Sequence, residues 1–137
     1  MKGESRAPNP RKAELVRNER DYGPEIRAKF GDAAVDAANA RYAGMDADAF
    51  ARMQSMSSEI IRLLLAAMDE GDPGSATAGK LVRLHRDWLL CFWTEYSPEA
   101  HRTLGDAYVE DPRFRAFYDR FRPGAASFLR DAIRTHA

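Results

Sequence analysis

The 137-residue chain is long enough for one domain with a single sizeable core. Its 21 basic and 21 acidic residues cancel, which speaks against a direct nucleic-acid binder, since such proteins carry excess positive charge to displace counterions from phosphate. No apolar run of about 18 residues is present to span a membrane, the opening residues lack the apolar stretch of a secretory signal, and one cysteine makes no internal disulfide, so a cytoplasmic protein is expected.

The polar residues 1–9 predict a mobile tail. A short charged helix is expected over residues 11 to about 21, until Gly23-Pro24 interrupts it. Residues 1–23 therefore read as a flexible or partly helical extension, and residues 24–137 as the domain proper. Arg11, Lys12, Arg17, Arg20, Arg27 and Lys29 make this end basic. Glu14, Glu19, Asp21 and Glu25 interleave with them, the pattern of a solvated, salt-bridged surface. A second helix starting at Pro24 carries Ile26, Phe30, Ala34, Ala37, Ala38 and Tyr42 on one side, and Gly44 ends it.

Asp46 caps a long helix reaching about residue 70, with Phe50, Met53, Met56, Ile60, Leu64 and Met68 at spacings of three and four. Its methionines give that stripe a deformable surface suited to a core or to a variable ligand. Gly71-Asp72-Pro73-Gly74-Ser75 is a turn by composition. The helix predicted over residues 76–96 has two apolar rows, Leu81, Leu84, Trp88, Cys91 beside Val82, His85, Leu89, Phe92, Trp93, Tyr96. So wide an arc implies a central position, or one side on the core and one lining a cavity. Ser97-Pro98 opens a helix with His101, Leu104, Gly105 and Tyr108 on one face. Asp111-Pro112 opens the next, striped by Phe114, Phe117, Tyr118 and Phe121. After Pro123 a last helix carries Ala125, Phe128, Leu129, Ala132 and Ile133. No segment alternates as a strand does, so the fold class is all-α.

Ten aromatic residues fall between His85 and Ile133, with no nucleophile–base pair or phosphate loop among them. A metal site needs three or more convergent ligands at characteristic spacing, and the histidine and carboxylate spacings do not supply them. Short helices around an aromatic cavity suggest a globin-like packing, in which haem would need His85 or His101 as axial ligand, but haem is not the reading. No metal and no cofactor are expected. Cys91, on an apolar row, reads as core filler with an inert thiol. Aromatic walls with a few hydrogen-bonding tips suit rigid, ring-containing ligands. Binding rather than catalysis is the reading.

The segments His85-Arg86-x-Trp88, Phe92-Trp93, Ser97-Pro98-Glu99-x-His101, Leu104-Gly105-x-x-Tyr108-Val109, Asp111-Pro112-Arg113-Phe114, Tyr118-Asp119, Pro123-Gly124 and the residues from Phe128 to Ile133 resemble the TipAS antibiotic-recognition domain, commonly the drug-sensing half of MerR-type transcription activators. The likeness continues upstream through Lys29-Phe30-Gly31 and the helix end at Gly71, covering about residues 24–136. It implies a globin-like helical fold with a deep cleft for hydrophobic, ring-rich peptide antibiotics such as thiopeptides or albicidin. It also implies N-terminal helices that close over the drug. Where some relatives capture the drug through a cysteine, this sequence has Thr103, and at another such position Tyr96. Reversible binding is therefore the expectation. With no helix-turn-helix segment preceding it, a stand-alone domain conferring tolerance by sequestration is expected. The alternative is a ligand-responsive module that docks onto a separate regulator or self-associates, for which a homodimer is one form. The expected ligand-binding residues are Trp88, Leu89, Phe92, Trp93, Tyr96, His101, Leu104, Tyr108, Phe114, Phe117, Tyr118 and Phe121, about half touching ligand while the rest fill the core.

Overall fold

The structure, a computed structural model, describes residues 10–137. The expected mobile tail over residues 1–9 lies outside the described residues. Seven helices and no strand occupy what is described: α1 (Pro10–Phe30), α2 (Asp32–Ala43), α3 (Ala47–Glu70), α4 (Ala76–Leu89), α5 (Pro98–Glu110), α6 (Pro112–Asp119) and α7 (Ala125–His136). None is long and apolar enough to cross a membrane.

The starts of α3 to α6 follow from side-chain oxygens that satisfy otherwise orphaned backbone donors. Asp46 accepts from the Ala49 amide at 2.8 Å, Ser75 from Ala78 at 3.1 Å, Ser97 from Ala100 at 3.0 Å and Asp111 from Arg113 at 2.9 Å. Helix α7 begins after Gly124, which offers no side chain, and Asp119 serves instead, accepting from the Ala126 amide at 3.0 Å. Gly71, at φ 78°, ends α3 in the left-handed conformation that a residue without Cβ adopts freely.

Helix α7 is the centre of the body. Ala125, Ala126, Leu129, Ala132 and Ile133 are all fully buried, and α3, α4, α5 and α6 pack around them. Helix α5 comes close at Gly105, where a Cβ would stand 3.2 Å from Cδ1 of Ile133. Ile60, Leu64 and Ala67 of α3 and Ala78, Leu81 and Val82 of α4 complete the core. Helices α1 and α2 pair with each other as a separate layer that packs only sparsely on the body.

Two boundaries differ from the sequence reading. Helix α1 runs unbroken through Gly23-Pro24, so the expected interruption there does not occur. Oε2 of Glu19 occupies the space a Cβ at Gly23 would need, and the Glu19 carboxylate passes over that glycine to meet Arg27 at 2.5 and 2.8 Å. That bidentate pair splints the turns on either side of Pro24, whose ring removes one helical hydrogen bond. The true break is Gly31, at φ 87° and ψ 153°, a backbone region effectively reserved for glycine. Helix α4 also stops at Leu89 instead of reaching residue 96. The amides of Phe92 and Trp93 both bond back to the Leu89 carbonyl, at 2.9 and 2.7 Å, which turns the chain into a corner.

Candidate ligand cleft

Because α1 and α2 touch the body mainly at their edges, a two-lobed hollow remains between the layers. The first lobe, about 890 Å³, has Leu15, Tyr22 and Ile26 of α1 as roof and Val35 of α2 beside them. Its floor is Ile60 and Ile61 of α3, Trp88 of α4, Tyr108 of α5 and the aromatic face of α6. The second, about 790 Å³, lies between Tyr42 of α2, Phe50 and Met53 of α3, the corner Leu89-Phe92-Trp93, and Leu104 of α5. The lobes share Asn18, Asn39, Ser57, Trp88, Tyr108 and Phe114 as a common waist. Volumes of this size match drug-sized ligands.

The waist is held in place by satisfied polar groups. The indole N–H of Trp88 donates to Ser57 Oγ at 2.8 Å, fixing the ring against α3. Tyr22 stacks on Phe114 with centroids 4.8 Å apart, and the Arg113 guanidinium lies 4.5 Å from the Tyr22 ring. Polar contacts tie roof to body, among them Lys29 to Glu110 at 3.1 Å, Arg113 to Glu25 at 2.8 Å, and Arg41 donating to the Trp93 carbonyl at 2.5 Å. Among the described residues the charged side chains on the lining are Glu14 and Glu19. Glu14 accepts from the Tyr42 hydroxyl and Glu19 is paired with Arg27, and no cationic side chain lines the cleft among the described residues.

The sequence model of the TipAS antibiotic-recognition domain matches residues 22–136. The chain belongs to the TipAS family. It is 31% identical over 118 residues to the HTH-type transcriptional activator TipA of Streptomyces coelicolor, covering 85% of this chain and 47% of that protein. It is 26% identical over 120 residues to the HTH-type transcriptional activator mta of Bacillus subtilis, covering 88% and 46%. The chain thus spans about half the length of the curated relatives it matches. Among solved structures, TipAS of a thiopeptide antibiotic multidrug resistance system from Streptomyces lividans, in complex with nosiheptide, superposes with a TM-score of 0.71 at 29% identity, covering 86% of this chain and 84% of that one. The all-α, globin-like TipAS fold is shared.

In this TipAS domain ten of the twelve residues singled out from the sequence stand along the cleft: Trp88, Leu89, Phe92, Trp93, Leu104, Tyr108, Phe114, Phe117, Tyr118 and Phe121. Phe117 and Phe121 are 45% and 39% exposed and form the rim, with the Arg120 guanidinium 4.5 and 4.9 Å from their rings. Tyr96 and His101 line neither lobe, whereas His85 lines the first. His101 is wholly buried, its Nδ1 2.8 Å from the Tyr96 hydroxyl and its Nε2 2.8 Å from Nδ1 of His85. From His85 the line continues through Nε2 to the Tyr108 hydroxyl at 3.2 Å, and the Tyr108 ring packs against that of Tyr118 with centroids 4.7 Å apart. Burial holds the pKa of both histidines well below the usual value, with His101 acting on His85, and Arg86 and Arg102 acting on His101. Burial likewise raises the phenols of Tyr96, Tyr108 and Tyr118. All five groups are therefore neutral near pH 7.

Cys91, expected as core filler, sits just past the end of α4, partly exposed, its Sγ 3.8 Å from the Asp87 carbonyl and outside the cleft lining. The early end of α4 took it off the apolar row. Desolvation raises its thiol pKa, partly offset by Arg41 and Arg52. Thr103 is also off the lining; its hydroxyl donates to the Glu99 carbonyl at 3.0 Å. The sequence reading missed the waist's polar members. Ser57 had a signal, a hydroxyl amid the apolar stripe of Met53, Met56 and Ile60. Asn18 and Asn39 had none, because their positions acquire meaning only when α1 and α2 fold back over the body.

Proposed function

We propose that this domain binds a neutral, hydrophobic, ring-rich peptide antibiotic without transforming it, reversibly and in the cytoplasm. The observation that carries this is the two-lobed cleft, about 890 and 790 Å³, walled by aromatic rings against which flat heterocycles stack. Likeness to a TipAS structure holding nosiheptide supports a thiopeptide as the first ligand to try. Reversibility is supported by the position of Cys91, the sole cysteine of the chain, away from the lining. Binding lowers the free drug concentration by mass action, and this is the proposed route to tolerance.

Trp88 and Trp93 are the only tryptophans and both line the cleft, so intrinsic fluorescence reports occupancy directly. Titration with nosiheptide, then with other thiopeptides and polyaromatic peptide drugs, should give a saturable change with at least one of them. Mass spectrometry should then recover both protein and ligand unchanged. Phe117→Ala removes a rim ring that is already half exposed, and should weaken binding by about 1–3 kcal/mol while leaving the melting temperature nearly unmoved. No saturable change across the panel overturns binding, an adduct overturns reversibility, and an altered ligand overturns the non-catalytic role.

A further inference from the structure

Many polar side chains on the cleft lining have their hydrogen bonds made within the protein. Ser57 accepts from the Trp88 indole at 2.8 Å and donates to the Met53 carbonyl at 3.1 Å. His85 stands between His101 and Tyr108, Tyr42 bonds to Glu14, and Glu19 is paired with Arg27. Asn18 of α1, Asn39 of α2 and Ser58 of α3 differ. All three line both lobes, and among the described residues none has a side-chain hydrogen-bond partner. In asparagine the carboxamide is the whole side chain beyond Cβ, so an asparagine reaches a lining through the very groups that donate and accept. Helix stability supplies no reason for either asparagine. Asn39 stands between Ala38 and Ala40 in α2, where another alanine is the better helix former, and Asn18 lies in the middle of α1. They come from different helices of the roof, yet both fall where the lobes join.

We propose that Asn18 and Asn39 on the roof, with Ser58 on the α3 side, form a specificity-determining collar that recognises one trans secondary amide of the ligand at the waist, while the ring systems joined by that amide occupy the two lobes. This deepens the binding role proposed above and rests on it. A trans amide points its N–H and its carbonyl in opposite directions, so it needs partners on two sides. Each carboxamide both donates and accepts, as does a serine hydroxyl, so the collar serves an amide lying in either direction along the cleft. Aromatic walls by themselves do not tell an amide from an ester of the same shape. An amide that leaves water for an apolar cleft is penalised unless its N–H and carbonyl are met. The collar meets them. An ester has no proton to offer, so it leaves a carboxamide oxygen of the collar without a donor, which is how a polar site rejects a close analogue. The ligand class thereby narrows from ring-rich molecules to those with ring systems on both sides of an amide.

The probes are two quinoline rings joined by an amide and the same two rings joined by an ester. Tryptophan fluorescence follows their binding, since Trp88 shares the waist. The wild-type domain should bind the amide about three- to tenfold more tightly than the ester. The double variant Asn18→Leu/Asn39→Leu replaces both carboxamides by side chains of like size and better helix propensity. It should bring the amide down to within about twofold of the ester, and keep the ester within about twofold of its wild-type affinity. Equal affinities for the two probes in the wild type, a measurement that needs no variant, overturn the collar. So does a preference for the amide that survives in the double variant. An equal loss of both probes in the variant also overturns it, because that reports damage to the cleft and not recognition of the amide. Nosiheptide, titrated in parallel, separates this inference from the reading beneath it. If nosiheptide binds and neither probe does, the collar alone fails. If none of the three binds, the binding role of the cleft fails with it.

Discussion

At the scale of single residues, the buried pair His85–His101 has the most direct consequence for stability. The rings are stacked, 5.0 Å between centroids with 13° between planes, and neither is exposed. Desolvation lowers both pKa values from 6.5, to about 4 for His101, whose ring also feels Arg86 and Arg102. The unfolded chain therefore binds more protons than the folded one between these values. The pair's contribution is fully present above about pH 6.5 and is lost as pH falls toward 4, by up to about 1.4 kcal/mol per pH unit for each histidine. Urea midpoints measured from pH 7.5 to 4.5 should fall well before carboxylates titrate, and His101→Gln should flatten that slope. A midpoint constant down to pH 5 would contradict the neutral pair. His101 was legible in the sequence as a candidate ligand contact, and His85 only as part of the motif behind the resemblance. That the two rings meet at 2.8 Å, with His85 and not His101 on the lining, follows from the closeness of α4 and α5, which no local pattern records.

At the scale of elements, the helices announced by a cap and a proline or glycine were the readable ones. Asp46, Ser75, Ser97 and Asp111 start α3 to α6 where their side-chain chemistry says they should. The misread elements, α1 and the end of α4, are those where a side chain from another turn overrides the local signal. Gly23-Pro24 looks like a breaker until Glu19 and Arg27 close across it, and Gly31 carries the actual turn. Gly31→Ala places a Cβ at φ 87° and ψ 153°, which should cost about 1–3 kcal/mol. Amide hydrogen exchange should register that loss in α1 and α2 and leave α3 to α7 nearly unchanged. Equal loosening of all seven helices would show that the roof is not a separate unit.

Over the whole molecule, the body and the roof are held by different physics. Helices α3 to α7 enclose a continuous apolar core centred on α7. The α1–α2 layer is joined to them by the polar contacts Lys29–Glu110, Arg113–Glu25 and Arg41 on the Trp93 carbonyl, and by ring contacts of Tyr22 with Phe114, Phe30 with Trp93, and Tyr42 with Phe50 and Phe92. Exposed ion pairs are screened within about 3 Å at 1 M salt, whereas apolar burial is not. Raising salt from 0.05 to about 1 M should therefore speed hydrogen exchange in α1 and α2 relative to the body, and an occupied cleft should cancel the difference. Parallel changes in both layers would indicate that the roof is packed on the body more firmly than these contacts imply.

The order of residues along the chain was enough to determine an all-α domain, most helix starts, the apolar stripes, and the aromatic concentration behind the likeness to TipAS. Those are consequences of local periodicity and of capping groups within four residues of the backbone they satisfy. Which aromatics face empty space was decided only by tertiary structure. Phe114, Phe117, Tyr118 and Phe121 lie on one stripe, yet the first narrows the waist, Tyr118 is buried on the floor, and Phe117 and Phe121 form an exposed rim. A cleft is the place where two layers fail to meet, and that gap is set by the lengths and tilts of distant elements rather than by any residue lining it.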